Sequence, residues 1–101
     1  MARWVAIFED QPREIGEPVR KQFAQAHFDY LEKHGDRILI GGGLRPDPNE
    51  WYCGGLWVLD VATREEAAAL VEADPFFAEG LRKSYELFVW GKAPFYGPVT
   101  L

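Results

Sequence analysis

Three short stretches of this chain carry large apolar side chains on both of their faces, and this limits the available folds more than any other feature. In residues 3–8, Trp4, Ala6 and Phe8 point one way while Val5 and Ile7 point the other. Residues 54–61 set Leu56 and Val58 against Trp57, Leu59 and Val61, and residues 84–90 repeat the mixed pattern. A strand that alternates polar with apolar can leave one face to water, but these cannot. Each needs a cover on both sides.

The segments between them supply one of those covers. Pro18 suits a first helical turn and Gly35 a stop, which predicts a helix over 18–34. Its apolar stripe is Val19, Phe23, Ala26, His27, Tyr30 and Leu31, opposite Lys21, Gln25, Asp29, Glu32 and Lys33. Residues 9–17, with Pro12 and Gly16, read as a loop. A second strand over 37–40 runs into Gly41-Gly42-Gly43, and residues 45–53 form a Pro-rich loop with an exposed aromatic pair. Thr63-Arg64-Glu65-Glu66 is a capping box opening a second helix to about residue 73, where Asp74-Pro75 breaks it. A short turn over 76–80, a last strand over 84–90 and a tail over 91–101 complete the chain.

The order β-α-β-β-α-β predicts an α+β, ferredoxin-like sandwich: one antiparallel sheet with two helices on one face, a single domain over residues 1–101. Only two main helices are available, so the second sheet face is expected to meet a second copy in a homodimer. A chain of 101 residues buries roughly two-thirds of its unfolded surface, enough for one core without staples. Fifteen aromatics exceed the needs of that core and point to a lined pocket or a partner surface.

Charge and cysteine content exclude several functions. A formal charge of −5, with its lysines and arginines scattered, argues against nucleic acid, which requires a basic patch. Cys53 is the only cysteine, so a reducing, cytoplasmic location is expected, and two histidines seven apart lack the further ligands a metal site needs. No apolar run reaches the roughly 20 residues of a membrane span. Gly41-Gly42-Gly43 lacks the features of a nucleotide loop and fits a strand end approached closely by backbone or ligand.

His27 sits mid-stripe on the first helix, with Arg20 two turns earlier on the same face. It is either a satisfied core histidine or an acid–base group lining a cavity. Asp74 is either a turn aspartate or the anchor of a ring N–H of His27. The two residues are 47 apart in the chain, and spacing alone decides neither question.

The opening strand WVAIFED, the helix element His27-Phe28-Asp29-Tyr30-Leu31, the strand ILIGGGL, the run GGLWVLDVATREEAAALVEADPFFAEGL and the closing YELFVW together resemble the YciI-like (YCII-related) family of dimeric α+β barrel proteins. The resemblance implies an active-site pair at His27 and Asp74. It also implies a cofactor-independent lyase or isomerase acting on a small anionic or lactone-like molecule, related to chloromuconolactone dehalogenases and muconolactone isomerases. Arg20 would then be an anion contact, with Trp4, Tyr30, Trp57, Gly42 and Gly43 as pocket walls. Two departures stand out. Ala24 replaces an arginine common in the family, and Gly42-Gly43 replaces its Gly-Pro. The competing expectation is a dimeric small-molecule-binding or accessory protein without turnover.

Overall fold

A computed structural model of the chain describes residues 3–98; residues 1–2 and 99–101, the latter ending the expected tail, lie outside the described residues. The elements run β1 (Arg3–Asp10), α1 (Arg13–Lys33), β2 (Ile38–Leu44), β3 (Gly54–Asp60), α2 (Arg64–Ala73), α3 (Pro75–Ala78) and β4 (Arg82–Val89). The four strands form one antiparallel sheet in the order β2-β3-β1-β4, with the helices on one face: the ferredoxin-like arrangement. No helix among the described residues is long and apolar enough to cross a membrane.

Register divides the two-faced strands as their side chains require. Ala6 pairs with Trp57 and Leu87, and Trp4 with Leu59, so the bulky residues of one parity meet beneath the helices. Val61, Leu70 and Val71 close this core from the side of α2. Val5, Ile7, Leu56 and Val58 occupy the other parity, on the open face.

Helix α1 starts a turn and a half earlier than Pro18 implies. Gly16 and Pro18 read as loop chemistry, yet both lie inside the helix. The first turns hold because Gly16 is buried against Leu81, where an added Cβ would stand 3.0 Å from its Cδ1. Glu17 also takes ion pairs from Arg13 at 2.9 Å and Lys21 at 3.0 Å, one turn to either side. Ala26, counted in the apolar stripe, is exposed. The capping box forms with one change of partner. Thr63 Oγ1 accepts from the Glu66 N–H at 3.2 Å, but Glu66 reaches back to the N–H of Ala62 at 3.4 Å. Pro75 then stops α2 and opens α3, which closes at Gly80 with φ of 86°, a conformation that favours glycine.

Two register shifts aim side chains that regular alternation would misplace. One falls between Ile38 and Ile40, and the other opposite Glu9 and Asp10. In the second, Ser84 pairs with Glu9 but Arg82 pairs with Asp10, so Lys83 is the extra residue and Arg82 joins the helix face.

Candidate active site

Between α1 and the β2–β3 side of the sheet lies a cavity of about 350 Å³. Helix α1 contributes Arg20, Ala24, His27, Phe28 and Leu31; the sheet contributes the three glycines of β2 and Trp57; the loop after β2 adds Trp51 and Tyr52; and Phe76 and Arg82 complete the wall. Gly41 and Gly43 are required by close approach. A Cβ at Gly41 would stand 2.8 Å from the Trp57 ring, and one at Gly43 would stand 2.6 Å from the Tyr52 ring. Bare backbone here lets two aromatic rings become the floor and rim of the cavity.

His27 and Asp74 meet at this cavity. The Asp-Pro junction ends α2 with the carboxylate turned to α1, and His27 Nδ1 lies 2.7 Å from Asp74 Oδ1. Asp74 is fully buried and His27 is 6% exposed. An ionised carboxylate only accepts, so Nδ1 donates, and in the neutral ring Nε2 carries the lone pair. The ring is also stacked on Phe76, with centroids 3.9 Å apart and planes 12° off parallel. Hydrogen bond and stack together fix both the tautomer and the plane of the imidazole. The second carboxylate oxygen of Asp74 is buried and finds no hydrogen-bond partner among the described residues.

A second charged cluster lies beside the first. Asp10 receives Arg20 Nη2 on Oδ2 at 2.8 Å and Arg82 Nη1 on Oδ1 at 2.7 Å. Arg20 spreads over the Tyr52 ring, its Cζ 4.1 Å from the centroid, and Arg82 over Phe8 at 4.4 Å. Burial pushes Arg82 down from the usual guanidinium value, and the Asp10 carboxylate opposes that shift.

The expected walls divide. Arg20, Gly42, Gly43 and Trp57 line the cavity, whereas Trp4 and Tyr30 do not. Tyr30 faces α2, where its hydroxyl donates to the Leu70 carbonyl at 2.6 Å, and Trp4 is a core residue under the Arg64 guanidinium. Both are corrected to packing roles: a helix stripe is wider than one cavity, and the even parity of β1 lies mostly under α2. Trp51 and Tyr52, expected to be exposed, are half-buried against α1, with Arg13 over the Trp51 ring at 4.6 Å. Asp10, Phe76 and Arg82 join the site beyond the residues expected from the sequence. Phe76 follows directly after Asp74-Pro75 and could have been found there. Arg82 reaches the site only through the bulge. No group of three or more His, Cys, Asp or Glu residues that could hold a metal ion occurs among the described residues.

The profile of the family described as the YCII-related domain matches residues 2–91. None of the curated proteins matches the chain. Among solved structures, the chain is similar to 5-chloro-2-hydroxyhydroquinone dehydrochlorinase (TftG) from Burkholderia phenoliruptrix, in complex with 2,5-dihydroxybenzoquinone. The TM-score is 0.77 at 23% identity, over 90% of this chain and 95% of that one. It is also similar to protein Atu4242 from Agrobacterium tumefaciens, with a TM-score of 0.55 at 11% identity, over 94% and 96% of the two chains. At these identities the likeness is one of fold.

Proposed function

The chain belongs to the YCII-related domain family, and from that premise we propose that it is a cofactor-independent lyase or isomerase in which His27 is the base, Asp74 its orienter and Arg20 an anion contact. The observation that carries this reading is the 2.7 Å His27–Asp74 bond at the wall of a cavity lined by aromatic rings and two arginines. An imidazole whose Nδ1–H is held by a carboxylate offers Nε2 as a base of fixed direction, and its cation, once formed, is stabilised by the same partner.

In the elimination form of the reaction, Nε2 takes a proton from a carbon next to a carbonyl. The C–H electron pair becomes a double bond, and a leaving group such as chloride departs with its own bonding pair. In the isomerisation form, the proton returns to a different carbon. Neither form needs an electron acceptor. Trp57, Tyr52 and Phe28 supply flat apolar walls suited to a small ring, and Arg20 suits a negative charge on it. The dehydrochlorinase, with its dihydroxybenzoquinone complex, supports a small oxygenated ring as the substrate class.

The working unit we propose is a homodimer. The open sheet face carries Ile7 at 40% exposure, Phe88 at 49% and Trp90 at 55%, alongside Ile40 and Leu44. A second copy laid sheet to sheet would cover them.

Halide release and solvent-deuterium exchange across a panel of chlorinated hydroquinones and lactones test the chemistry. Turnover is expected in the wild type and should fall by about 10²–10⁴-fold in His27→Gln, with an unchanged circular dichroism spectrum. Turnover that survives the replacement removes His27 as the base. Binding without turnover throughout the panel makes the chain a ligand-binding or accessory protein.

A further inference from the structure

Two guanidinium groups share one carboxylate at this site. Asp10, Arg20 and Arg82 are drawn together from β1, α1 and β4, and the cluster carries one positive charge in excess inside a chain whose net charge is −5. The Asp74 carboxylate, hydrogen-bonded to His27, also acts on Arg82, and Lys21 at the cavity rim is paired with Glu17. The Arg82 side chain is only 2% exposed and that of Arg20 13%. The Nε–H donors of both are buried and without a partner among the described residues. Buried guanidinium donors are costly to leave unmade, and protein groups elsewhere satisfy nearly all of theirs.

The backbone is shaped around this arrangement. The register shift opposite Glu9 and Asp10 turns Arg82 from the open face to the cavity face. Gly55, on the neighbouring side of β1, leaves room for the guanidinium: a Cβ there would stand 3.2 Å from Nη1 and 3.3 Å from Nη2. Packing alone does not call for Arg82, because an apolar residue would fill that space without burying a charge. Arg82 lines the cavity instead, alongside Arg20.

We propose that Arg82, linked to Arg20 through Asp10, forms an oxyanion-binding subsite in the cavity that recognises a carboxylate, phenolate or enolate oxygen on a small ring-shaped ligand. The inference deepens the reading of the cavity as a substrate site and rests on it. Asp10 is a positioning residue. It holds two like charges side by side and leaves guanidinium donors, the buried Nε–H groups among them, for the ligand. His27 and the arginines then act on one ligand from different elements, the first on a C–H bond and the second on the oxygen that gathers charge as that bond breaks.

Isothermal titration with two matched pairs tests the subsite: benzoate against benzamide, and 2,5-dihydroxybenzoquinone, anionic at neutral pH, against its neutral dimethyl ether. Wild-type protein is expected to prefer the anion of at least one pair by about tenfold or more, the worth of a hydrogen bond to a charged group. The pair that shows it tells a carboxylate from an enolate. The preference should vanish in Arg82→Gln and persist in His27→Gln. Since Arg82→Gln strands Asp10 and can unfold the chain, Asp10→Asn combined with Arg82→Gln removes both partners and should lose the preference while folded. Failure of the wild type to bind either anion, or a preference that survives the double replacement, overturns the subsite. Titration separates this result from the lyase reading: a wild type that binds anions through Arg82 and turns over nothing keeps the subsite and loses the chemistry.

Discussion

A carboxylate beside an imidazole decides which ring nitrogen carries the hydrogen, and here that decision falls on buried Asp74. In Asp74→Asn the amide would match the carboxylate in shape but can donate to Nδ1. The hydrogen would then move to Nε2 and the lone pair would be lost from the cavity side. Catalysis is expected to fall by about tenfold or more with the fold retained, and ring ¹⁵N shifts of His27 should report the exchanged tautomer. An unchanged tautomer would mean that Asp74 does not control the ring. A second residue-scale prediction concerns alkaline pH. Tyr85 donates its hydroxyl to Glu72 Oε2 at 2.6 Å, and burial, with Glu72 adding to it, pushes the phenol up to about 12 from its ordinary value of 10.0. The folded state therefore favours the protonated phenol. The stabilisation is complete below the unfolded value and is lost as pH rises through about 12. Denaturation midpoints measured from pH 9 upward should fall less steeply in Tyr85→Phe than in the wild type; parallel curves would remove Tyr85 as the cause.

The glycine run of β2 is where one element sets the shape of the site, and its three members differ sharply. Gly41→Ala would press a methyl group 2.8 Å from the buried Trp57 ring, whereas a Cβ at Gly42 meets nothing within 4 Å. Urea denaturation is expected to show Gly41→Ala destabilised by about 1–3 kcal/mol and Gly42→Ala changed by no more than about 0.5 kcal/mol. Equal effects at both positions would contradict this placement of Trp57. The same element shows what a sequence can and cannot disclose. Strand identity and chain order follow from pattern and composition, and the Asp74-Pro75 break is visible as such, but parity groups Trp57 with Leu59 without telling which face the helices cover. The start of α1 is hidden, because Gly16 and Pro18 carry loop chemistry that only the contact with Leu81 and the Arg13–Glu17–Lys21 ladder override. Arg82 is hidden for a different reason. Alternation from Tyr85 and Leu87 points Lys83 inward, and only the bulge reverses the two. Asp10 could not be tied to Arg20 and Arg82 without it.

At the scale of the whole molecule, the helices cover one sheet face and leave Ile7, Ile40, Leu44 and Phe88 of the other exposed. A stable homodimer formed there must bury on the order of 1,000 Å² or more in total. Light scattering is expected to give a dimer at micromolar concentration, and Phe88→Glu, which sets a charge at the centre of the contact, is expected to give a folded monomer; a wild-type monomer would remove this face as an interface. The chemistry depends on another property of the folded molecule, namely that the His27 imidazole is open to small molecules through the cavity although only 6% of the residue is exposed. Diethyl pyrocarbonate, followed by mass spectrometry of the separate His27 and His34 peptides, measures that property without knowledge of the substrate. A cavity base predicts that Nε2 of His27 is modified in the native protein and is protected when 2,5-dihydroxybenzoquinone is bound, while His34 reacts equally in both states. A His27 that stays unmodified while His34 reacts fully would be a core histidine, and the catalytic assignment would fall.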